Sequence, residues 1–206
     1  MRPINQLIMW SGGIDSTYIL AKMLLETENN IFAHHVSLVN CENRARAEEE
    51  AVNKLCKKLS KIRDFKLTRN LIDDSKMPTI VYDMARVCFE AGSVSKAWYH
   101  YDFPITLDEW TIGTHKAEGH WQERWDIIEP AVRAAEWSPN RERPIKFKLH
   151  DLVTKQEEMS YLAKHDLLDD CWYCRTPVKI IGDSVYTPCG KCKTCEEVNK
   201  AKKEMI

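Results

Sequence analysis

The N-terminal part of the chain alternates short apolar runs with amphipathic segments. Residues 4–10 and 31–39 are largely apolar and are bounded by proline, glycine or polar residues, which is typical of buried strands. After Asp15 the isoleucine, leucine and methionine side chains share one helical face, and residues 44–61 repeat alanine or leucine at four-residue spacing. Strand, helix, strand and helix of these lengths predict a parallel α/β sheet.

The rest of the chain carries shorter patterns that continue this architecture. They predict a helix over 78–90 that ends at Gly92, a strand over 110–113, a helix from about Trp125 and a helix over 156–164. The predicted fold class is therefore α/β, a Rossmann-like parallel sheet followed by a small C-terminal module. We place the α/β domain at residues 1–165 and the module, packed on it, at residues 166–206.

Composition narrows the classes of partner. The 206 residues include 30 basic and 31 acidic side chains, a net charge of −1, whereas a general nucleic-acid or membrane-surface binder carries a basic excess. No apolar run approaches the roughly 20 residues of a membrane span, and residues 1–10 lack a signal-peptide pattern. We expect a cytoplasmic protein that acts on a small molecule, with no membrane partner and with nucleic acid disfavoured.

The sharpest motif is the string SGGIDST at residues 11–17, between the first strand and the first helix. Its glycines let backbone N–H groups approach an oxyanion, and the helix that follows adds unpaired donors and the positive end of its dipole. The string lacks the lysine of a Walker motif. A plain turn with a helix cap at Asp15 or Ser16 is the structural alternative.

SGGIDST closely resembles the pyrophosphate loop of the ATP-pyrophosphatase superfamily. The resemblance implies an adenine nucleotide α-hydrolase-like fold and cleavage of ATP between its α and β phosphates. It also implies that Trp10 to Thr17 cradle the released pyrophosphate, and that an acyl or oxo group of the substrate becomes adenylated. Asp15 would help to hold Mg²⁺, which accompanies ATP phosphates.

Cysteines are concentrated near the C-terminus. Of the eight in the chain, five lie in the last 36 residues: Cys171, Cys174, Cys189, Cys192 and Cys195. Residues 189–195 form a double C-x-x-C with a glycine in its first turn, a spacing that turns neighbouring thiolates toward one tetrahedral ion. The fourth ligand comes from Cys174 or Cys171, and the cysteines alone allow zinc or an iron–sulfur cluster.

The two motifs together, W-x-C followed by P-C-G-x-C-x-x-C after a pyrophosphate loop, resemble the 7-cyano-7-deazaguanine synthase family. That resemblance implies a structural zinc ion on Cys174, Cys189, Cys192 and Cys195, with Cys171 as the spare thiol. Thr154-Lys155 before a helix and Ile112-Gly113 at a strand end match the family as well. The residues that it assigns to ATP binding are Trp10, Ser11, Gly12, Gly13, Ile14, Asp15, Ser16, Thr17 and Gly113, and those that it assigns to catalysis are Ser11, Asp15, Ser16 and Lys155.

The implied reaction is ATP-dependent conversion of 7-carboxy-7-deazaguanine with ammonia to the amide and then the nitrile, releasing AMP and pyrophosphate. Two regions depart from the family: residues 78–81 lack its Arg-Asn, and residues 115–124 lack its Tyr-Pro-Asp-Cys-Arg. They indicate a divergent member of the type found in phages that modify DNA bases, in which the reaction could stop at the amide. The resemblance also allows a homodimer.

Two other functions stay open. A tRNA-thiolating enzyme shares the loop and often uses C-x-x-C cysteines, but the net charge counts against it. A non-catalytic nucleotide-binding module is the second. For a flat heterocyclic acceptor, the candidate contacts are tryptophans that could equally be core residues and a polar loop after Gly113: Trp110, Trp121, Trp125, Trp137, His115, Lys116 and Glu118.

Overall fold

The computed structural model describes residues 2–77, 83–100, 105–116, 121–136, 145–150, 152–179 and 186–205. Its centre is a parallel sheet of five strands, which are β1 (Asn5–Met9), β2 (Asn30–Val39), β3 (Lys66–Asp73), β4 (Glu109–Ile112) and β5 (Lys146–Phe147). The strand order is β3-β2-β1-β4-β5, and every neighbouring pair runs parallel. The predicted Rossmann-like α/β class is confirmed.

Helices cover both faces of this sheet. They are α1 (Ile14–Glu26), α2 (Ala45–Ile62), α3 (Asp83–His100), α4 (Trp121–Glu136), α5 (Lys155–Lys164) and α6 (Lys193–Glu204). One hydrophobic cluster joins the sheet to α1, α2, α5 and α6, and a second cluster joins its other face to α3 and α4. Because parallel strands are buried on both faces, β1 reads as a nearly continuous apolar run.

The predicted end of a helix at Gly92 is wrong, since α3 runs through it to His100. A Cβ atom at Gly92 would lie 2.4 Å from the carbonyl oxygen of Val132 and 2.7 Å from Cβ of Ala135. The glycine therefore permits close packing of α3 on α4 rather than terminating the helix. Residues 78–82 of that prediction lie outside the described residues, and α4 begins at Trp121, four residues before the predicted start.

Sequence patterns miss two strands of the sheet, the two-residue β5 and the eight-residue β3. None of the eight residues of β3 is buried, and exposed and half-buried positions alternate along it. It lies at an edge of the sheet, where it pairs with only one neighbouring strand. Its two faces are only partly covered by other elements. An edge strand of this kind lacks the apolar run that marks β1 and β2.

The C-terminal segment packs on the α/β body. A single-turn 3-10 helix (Leu168–Asp170) follows α5, and a two-stranded antiparallel hairpin, β6 (Val178–Lys179) and β7 (Tyr186–Thr187), precedes α6. Leu167, Val198 and Ala201 belong to the same hydrophobic cluster as α1 and α5. The division at residue 165 stays a prediction. No helix in the described ranges has the length and apolar content needed to cross a membrane.

Candidate active site and metal centre

The candidate site lies at the carboxyl ends of β1 and β4, which are neighbours in the sheet. The chain leaves β1 for α1 on one face and leaves β4 for α4 on the opposite face. This is the switch point of an open α/β sheet, where the loops diverge and leave a crevice for ligands. The SGGIDST loop follows β1, and Gly113 follows β4 directly.

Hydroxyl groups hold the turn of the loop. The Ser16 hydroxyl accepts a hydrogen bond from the Ser11 amide at 3.3 Å, and the Ser11 hydroxyl accepts one from the Gly13 amide at 3.2 Å. Gly12 has φ +76°, in the left-handed region that favours glycine. No described side chain caps the N-terminus of α1, so the amides of its first turn are available to an anion.

Two residues assigned to ATP binding turn their side chains into the core. The Trp10 indole donates a hydrogen bond to the Thr17 hydroxyl at 3.1 Å, and both side chains are buried. Their contribution to a ligand is therefore limited to backbone atoms. Gly12 and Ser16 are also buried and do not line the cavity, whereas Ser11, Gly13, Ile14 and Asp15 do.

Gly113 meets the loop from β4. A Cβ atom at this position would lie 2.5 Å from the Ser16 amide nitrogen and 2.8 Å from its Cα. Any other residue would push α1 and β4 apart. Gly113 is therefore where two elements of the crevice touch, and it does not line the described cavity.

Lys155, the first residue of α5, reaches the loop from 140 residues away in sequence. Its ammonium group contacts Asp15 and lies 3.1 Å from a carboxylate oxygen of Glu158, which is fully buried. Burial lowers the pKa of Lys155 while Glu158 opposes that shift. His115 Nδ1 lies 3.7 Å from the Asp15 carboxylate. The arrangement brings together two predicted catalytic residues, Asp15 and Lys155.

Thr154 fixes where α5 begins. Its hydroxyl accepts a hydrogen bond from the Glu157 amide, and the Glu157 carboxylate accepts one from the Thr154 amide at 2.7 Å, which completes a capping box. This reciprocal cap sets the direction in which Lys155 leaves the helix. The Thr-Lys pair thus has a local role, in which the threonine starts the helix and the lysine enters the site.

A cavity of about 140 Å³ opens between the loop, α2 and the C-terminal segment. Pockets that hold drug-sized ligands measure roughly 300–1,000 Å³, so this cavity accommodates part of a nucleotide. Its lining outside the loop combines charged, aromatic and sulfur-bearing side chains: Arg44, Glu48, His115, Lys155, Trp172, Tyr173, Cys174, Arg175, Thr194 and Glu197.

One end of this cavity is a cluster of two arginines and three carboxylates. Arg44 contacts Asp83 and lies 3.0 Å from Glu42 and 3.5 Å from Glu48. Arg175, which follows Cys174, lies 2.8 Å from Asp83 and 3.2 Å from Glu42. Burial raises the pKa of Glu48 to about 7, although Arg44 opposes the shift. The cluster links the C-terminal segment to the N-termini of α2 and α3.

Glu48→Gln is expected to stabilise the protein at pH 8 and to have little effect at pH 5. Because the folded-state pKa of Glu48 is raised, its favourable contribution is present below the unfolded pKa of 4.5 and is lost as pH rises through about 7. Glutamine removes the surplus negative charge of the cluster (Glu42, Asp83 and Glu48 against Arg44 and Arg175). The gain has an upper bound of about 3 kcal/mol.

The measurement is thermal unfolding from pH 5 to pH 8. Glu50→Gln is the matched control, because Glu50 lies on the same helix but is solvent-accessible and paired with Arg46. An equal change in melting temperature at both pH values would contradict the assignment.

The C-terminal segment brings together four sulfur atoms. The Sγ atoms of Cys174, Cys189, Cys192 and Cys195 lie within 4.8 Å of one another. A Zn–S bond of about 2.3 Å places tetrahedral sulfurs about 3.8 Å apart, and Cys189 and Cys195 are 3.9 Å apart. An iron–sulfur cluster spreads its thiolates over several iron atoms and needs wider spacing. The four cysteines therefore fit a single tetrahedral metal ion.

Hydrogen bonds to sulfur favour the metal-binding thiolate form. The Thr176 hydroxyl donates to Cys189 Sγ at 3.2 Å and is the main cause that lowers the pKa of this thiol to about 6. The amide of Cys192 also donates to Cys189 Sγ, and the amide of Cys189 donates to Cys174 Sγ. Gly190 has φ +74°, which permits the tight turn between the first two ligands of the motif.

The spare thiol, Cys171, lies outside this group. It is buried in the hydrophobic cluster beneath α1, with Sγ 3.4 Å from the Leu167 carbonyl oxygen. Burial raises its pKa to about 12, so it remains a protonated thiol. The geometry thus separates Cys174 from Cys171, which spacing alone does not do.

The metal centre and the loop are directly connected. The Trp172 amide donates to the Gly12 carbonyl at 2.9 Å, and its indole donates to the Cys174 carbonyl at 2.8 Å. A Cβ atom on Gly13 would lie 3.3 Å from the Trp172 carbonyl oxygen. Residues between Cys171 and Cys174 therefore support the loop from outside the sheet.

Sequence reasoning missed several residues of the site. Glu48 lies on the predicted helix over 44–61, Glu197 lies on α6, which the sequence patterns do not predict, and Trp172 stands only within the W-x-C motif. All three line the cavity. Of the acceptor candidates, Trp110 packs in the core against Phe147, and His115 lines the cavity. Glu118 and Trp137 lie outside the described residues, as do the side chains of Trp121 and Trp125.

Fold and site together define a class: a doubly wound α/β protein with a glycine-containing loop and an uncapped helix N-terminus at its switch point, and a four-cysteine metal-binding cluster beside it. No protein-family model matches the chain, and no curated protein matches it. Among solved structures, the U34-tRNA thiolase NcsA from Methanococcus maripaludis with its 4Fe-4S cluster aligns at 15% identity and a TM-score of 0.47. The alignment covers 98% of this chain and 65% of that one. Similarity at this level assigns neither a family nor a function.

Proposed function

We propose that the protein is an ATP-dependent enzyme that adenylates its substrate. The observation that carries this proposal is the SGGIDST loop, whose uncapped helix N-terminus lies in the crevice with Asp15 and Lys155. Backbone donors and a positive helix end stabilise phosphate charge, and a lysine beside them neutralises the charge of a leaving pyrophosphate. Asp15, which is partly exposed, supplies a carboxylate oxygen for Mg²⁺.

For the substrate we propose 7-carboxy-7-deazaguanine, as the motif resemblance implies. Its carboxylate oxygen attacks the α-phosphorus of ATP, the bond to the β-phosphate oxygen breaks, and pyrophosphate leaves. Ammonia then attacks the acyl carbon and expels AMP, which gives the amide. A second ATP adenylates the amide oxygen, and loss of AMP and a proton gives the nitrile. The protein acts by positioning and by charge stabilisation, with no covalent enzyme intermediate.

We propose that the four cysteines hold a structural zinc ion. Four thiolates within reach of one another close the coordination shell, and a closed shell is typical of a structural rather than a catalytic site. In this role the ion keeps residues 171–175 in place against the loop.

A second candidate reaction is ATP-dependent thiolation of a tRNA base. It is favoured by one observation, namely that Cys174 lines the same cavity as Asp15 and Lys155, so sulfur lies near the site of adenylation. The balanced charge of the chain favours the small-molecule substrate over RNA.

The test is a set of parallel incubations with ATP and Mg²⁺. One contains 7-carboxy-7-deazaguanine and ammonia, one contains the base without ammonia, and one contains tRNA and sulfide; AMP and the products are followed by mass spectrometry. AMP release that requires the base, with the amide or nitrile formed only when ammonia is present, is the expected result. AMP release that requires tRNA supports thiolation instead. Absence of AMP from all three contradicts adenylation.

A further inference from the structure

Strand β3 has the properties of an unfinished sheet edge. Its eight residues pair with β2 on one side, and no described strand pairs on its other side. The opposite edge of the sheet, β5, has only two residues. A long edge strand presents a row of unpaired N–H and C=O groups, which natural proteins usually protect or use for pairing.

The side chains on one face of β3 form an ordered row. Because successive side chains alternate between faces, Arg69, Leu71 and Asp73 share one face, in the order basic, apolar, acidic. Leu71 is 66% exposed, the highest value among the exposed large hydrophobic residues of the described chain. Arg69 and Asp73 are exposed as well.

This row is complementary to itself when reversed. We propose that two copies of the chain pair through antiparallel β3 strands about a twofold axis at Leu71. In this register Leu71 lies opposite Leu71 of the second copy, and each Arg69 lies opposite Asp73 of the other copy. A twofold axis repeats both ion pairs by symmetry, and directly opposite residues on one face interact most strongly.

Neighbouring registers lack this match. Residues that face each other in an antiparallel pair lie on the same face of the sheet. Two identical strands related by a twofold axis can therefore pair only in registers in which the axis passes through a residue, not between two residues. An axis at Asn70 places Leu67 opposite Asp73, and an axis at Arg69 places the two guanidinium groups against each other. The register at Leu71 joins opposite charges and buries the exposed leucine.

Existing contacts of the row are compatible with pairing. Arg69 reaches Glu49 only at 3.8 Å, and the Asp73 carboxylate accepts a hydrogen bond from the Ser75 amide through one oxygen at 2.9 Å. The SGGIDST loop lies two strands away, at the end of β1. Pairing through β3 therefore joins the sheets of two copies and leaves the candidate active site of each copy open.

Charge exchange tests the register. Arg69→Asp alone places two aspartates opposite each other in both symmetric pairs, and Asp73→Arg alone does the same with arginines. Each variant is expected to raise the dimer dissociation constant about tenfold or more in sedimentation velocity at low salt. In an equimolar mixture the aspartates of the first variant face the arginines of the second at both pairs, so the mixture dimerises at concentrations at which neither variant does alone. A folding defect cannot produce that result.

Leu71→Asp is the stronger disruption, because it places two carboxylates on the axis. It is expected to be monomeric at concentrations at which the wild type is dimeric, with an unchanged circular-dichroism spectrum because Leu71 is mostly exposed. Lys200→Asp, on the exposed face of α6, is the control and should leave the dimer intact. A monomeric wild type, a dimer indifferent to Leu71→Asp, or failure of the mixed variants to associate would each overturn the proposal.

Discussion

Asp15→Asn is expected to lower the rate of AMP release by about 100-fold or more while leaving the melting temperature nearly unchanged. The change keeps the shape of the side chain but removes the charge that faces Lys155 and, in the proposed reaction, holds Mg²⁺. Removing one group that stabilises developing charge in a transition state costs about 10²–10³ in rate. Lys155 is buried but keeps Glu158 at 3.1 Å, so neutralising Asp15 leaves this ammonium group paired.

Asp166→Asn is the matched control for this variant. Asp166 also pairs with a lysine, Lys58, at 2.9 Å, but its side chain is 88% exposed and lies away from the cavity. Normal AMP release by Asp15→Asn would contradict the proposed role of the carboxylate. A similar loss in both variants would mean that the effect is not specific to the site.

Lys155 is a less direct probe of the same site. Lys155→Gln removes the cation that lies 3.1 Å from the fully buried Glu158, so the variant loses stability as well as activity. The double change Lys155→Gln and Glu158→Gln removes one positive and one negative charge, so the net charge of the site is unchanged. It should recover the melting temperature but not the rate, which separates the catalytic contribution of the lysine from its structural one.

Cys174→Ser and Cys189→Ser are expected to lose the bound metal, with a fall in melting temperature and a weaker affinity for ATP. Elemental analysis by mass spectrometry should find about one zinc ion per chain in the wild-type protein, because four thiolates complete one tetrahedral shell. Structural zinc sites contribute directly to folding energy. The loss of ATP affinity follows from the contact between Trp172 and Gly12, which connects the metal centre to the loop.

Two further cysteine variants serve as controls. Cys41→Ser changes an exposed thiol far from the ligands in sequence, and Cys171→Ser changes the buried thiol beside them. Both should retain the metal. Loss of metal from Cys171→Ser, or its retention by Cys174→Ser, would contradict the ligand set, and iron with visible absorption in place of zinc would contradict the proposed ion.

The elements that sequence patterns predicted best are those that tertiary packing buries. β1 and β2 are apolar because helices cover both of their faces, and α2 repeats its apolar residues because one side packs on the sheet. β3 is missed for the opposite reason, since an edge strand buries none of its residues. Gly92 is misread because nothing local distinguishes a glycine that ends a helix from one that admits a neighbouring helix.

Long-range pairing limits how much of the site could be foreseen. The loop can be recognised from the sequence because its glycines, hydroxyl residues and Asp15 are consecutive. Three of the four predicted metal ligands can be recognised because they lie within seven residues. The Lys155 contact with Asp15 joins positions 140 residues apart, and Arg175 meets Asp83 from 92 residues away. The spacing of residues in a sequence does not predict such long-range contacts. The motif resemblance could therefore suggest a role for Lys155 but not that it contacts Asp15.

The order in which the chain is synthesised gives the support of the loop a further consequence. Proteins are made from the N-terminus, and nascent domains begin to fold before synthesis ends. The SGGIDST loop leaves the ribosome before β4, Lys155 and Trp172, the later segments that touch or support it. On the ribosome the loop therefore stays incomplete until the cysteine-rich segment has emerged, and it reaches its working shape well after its own residues have been translated.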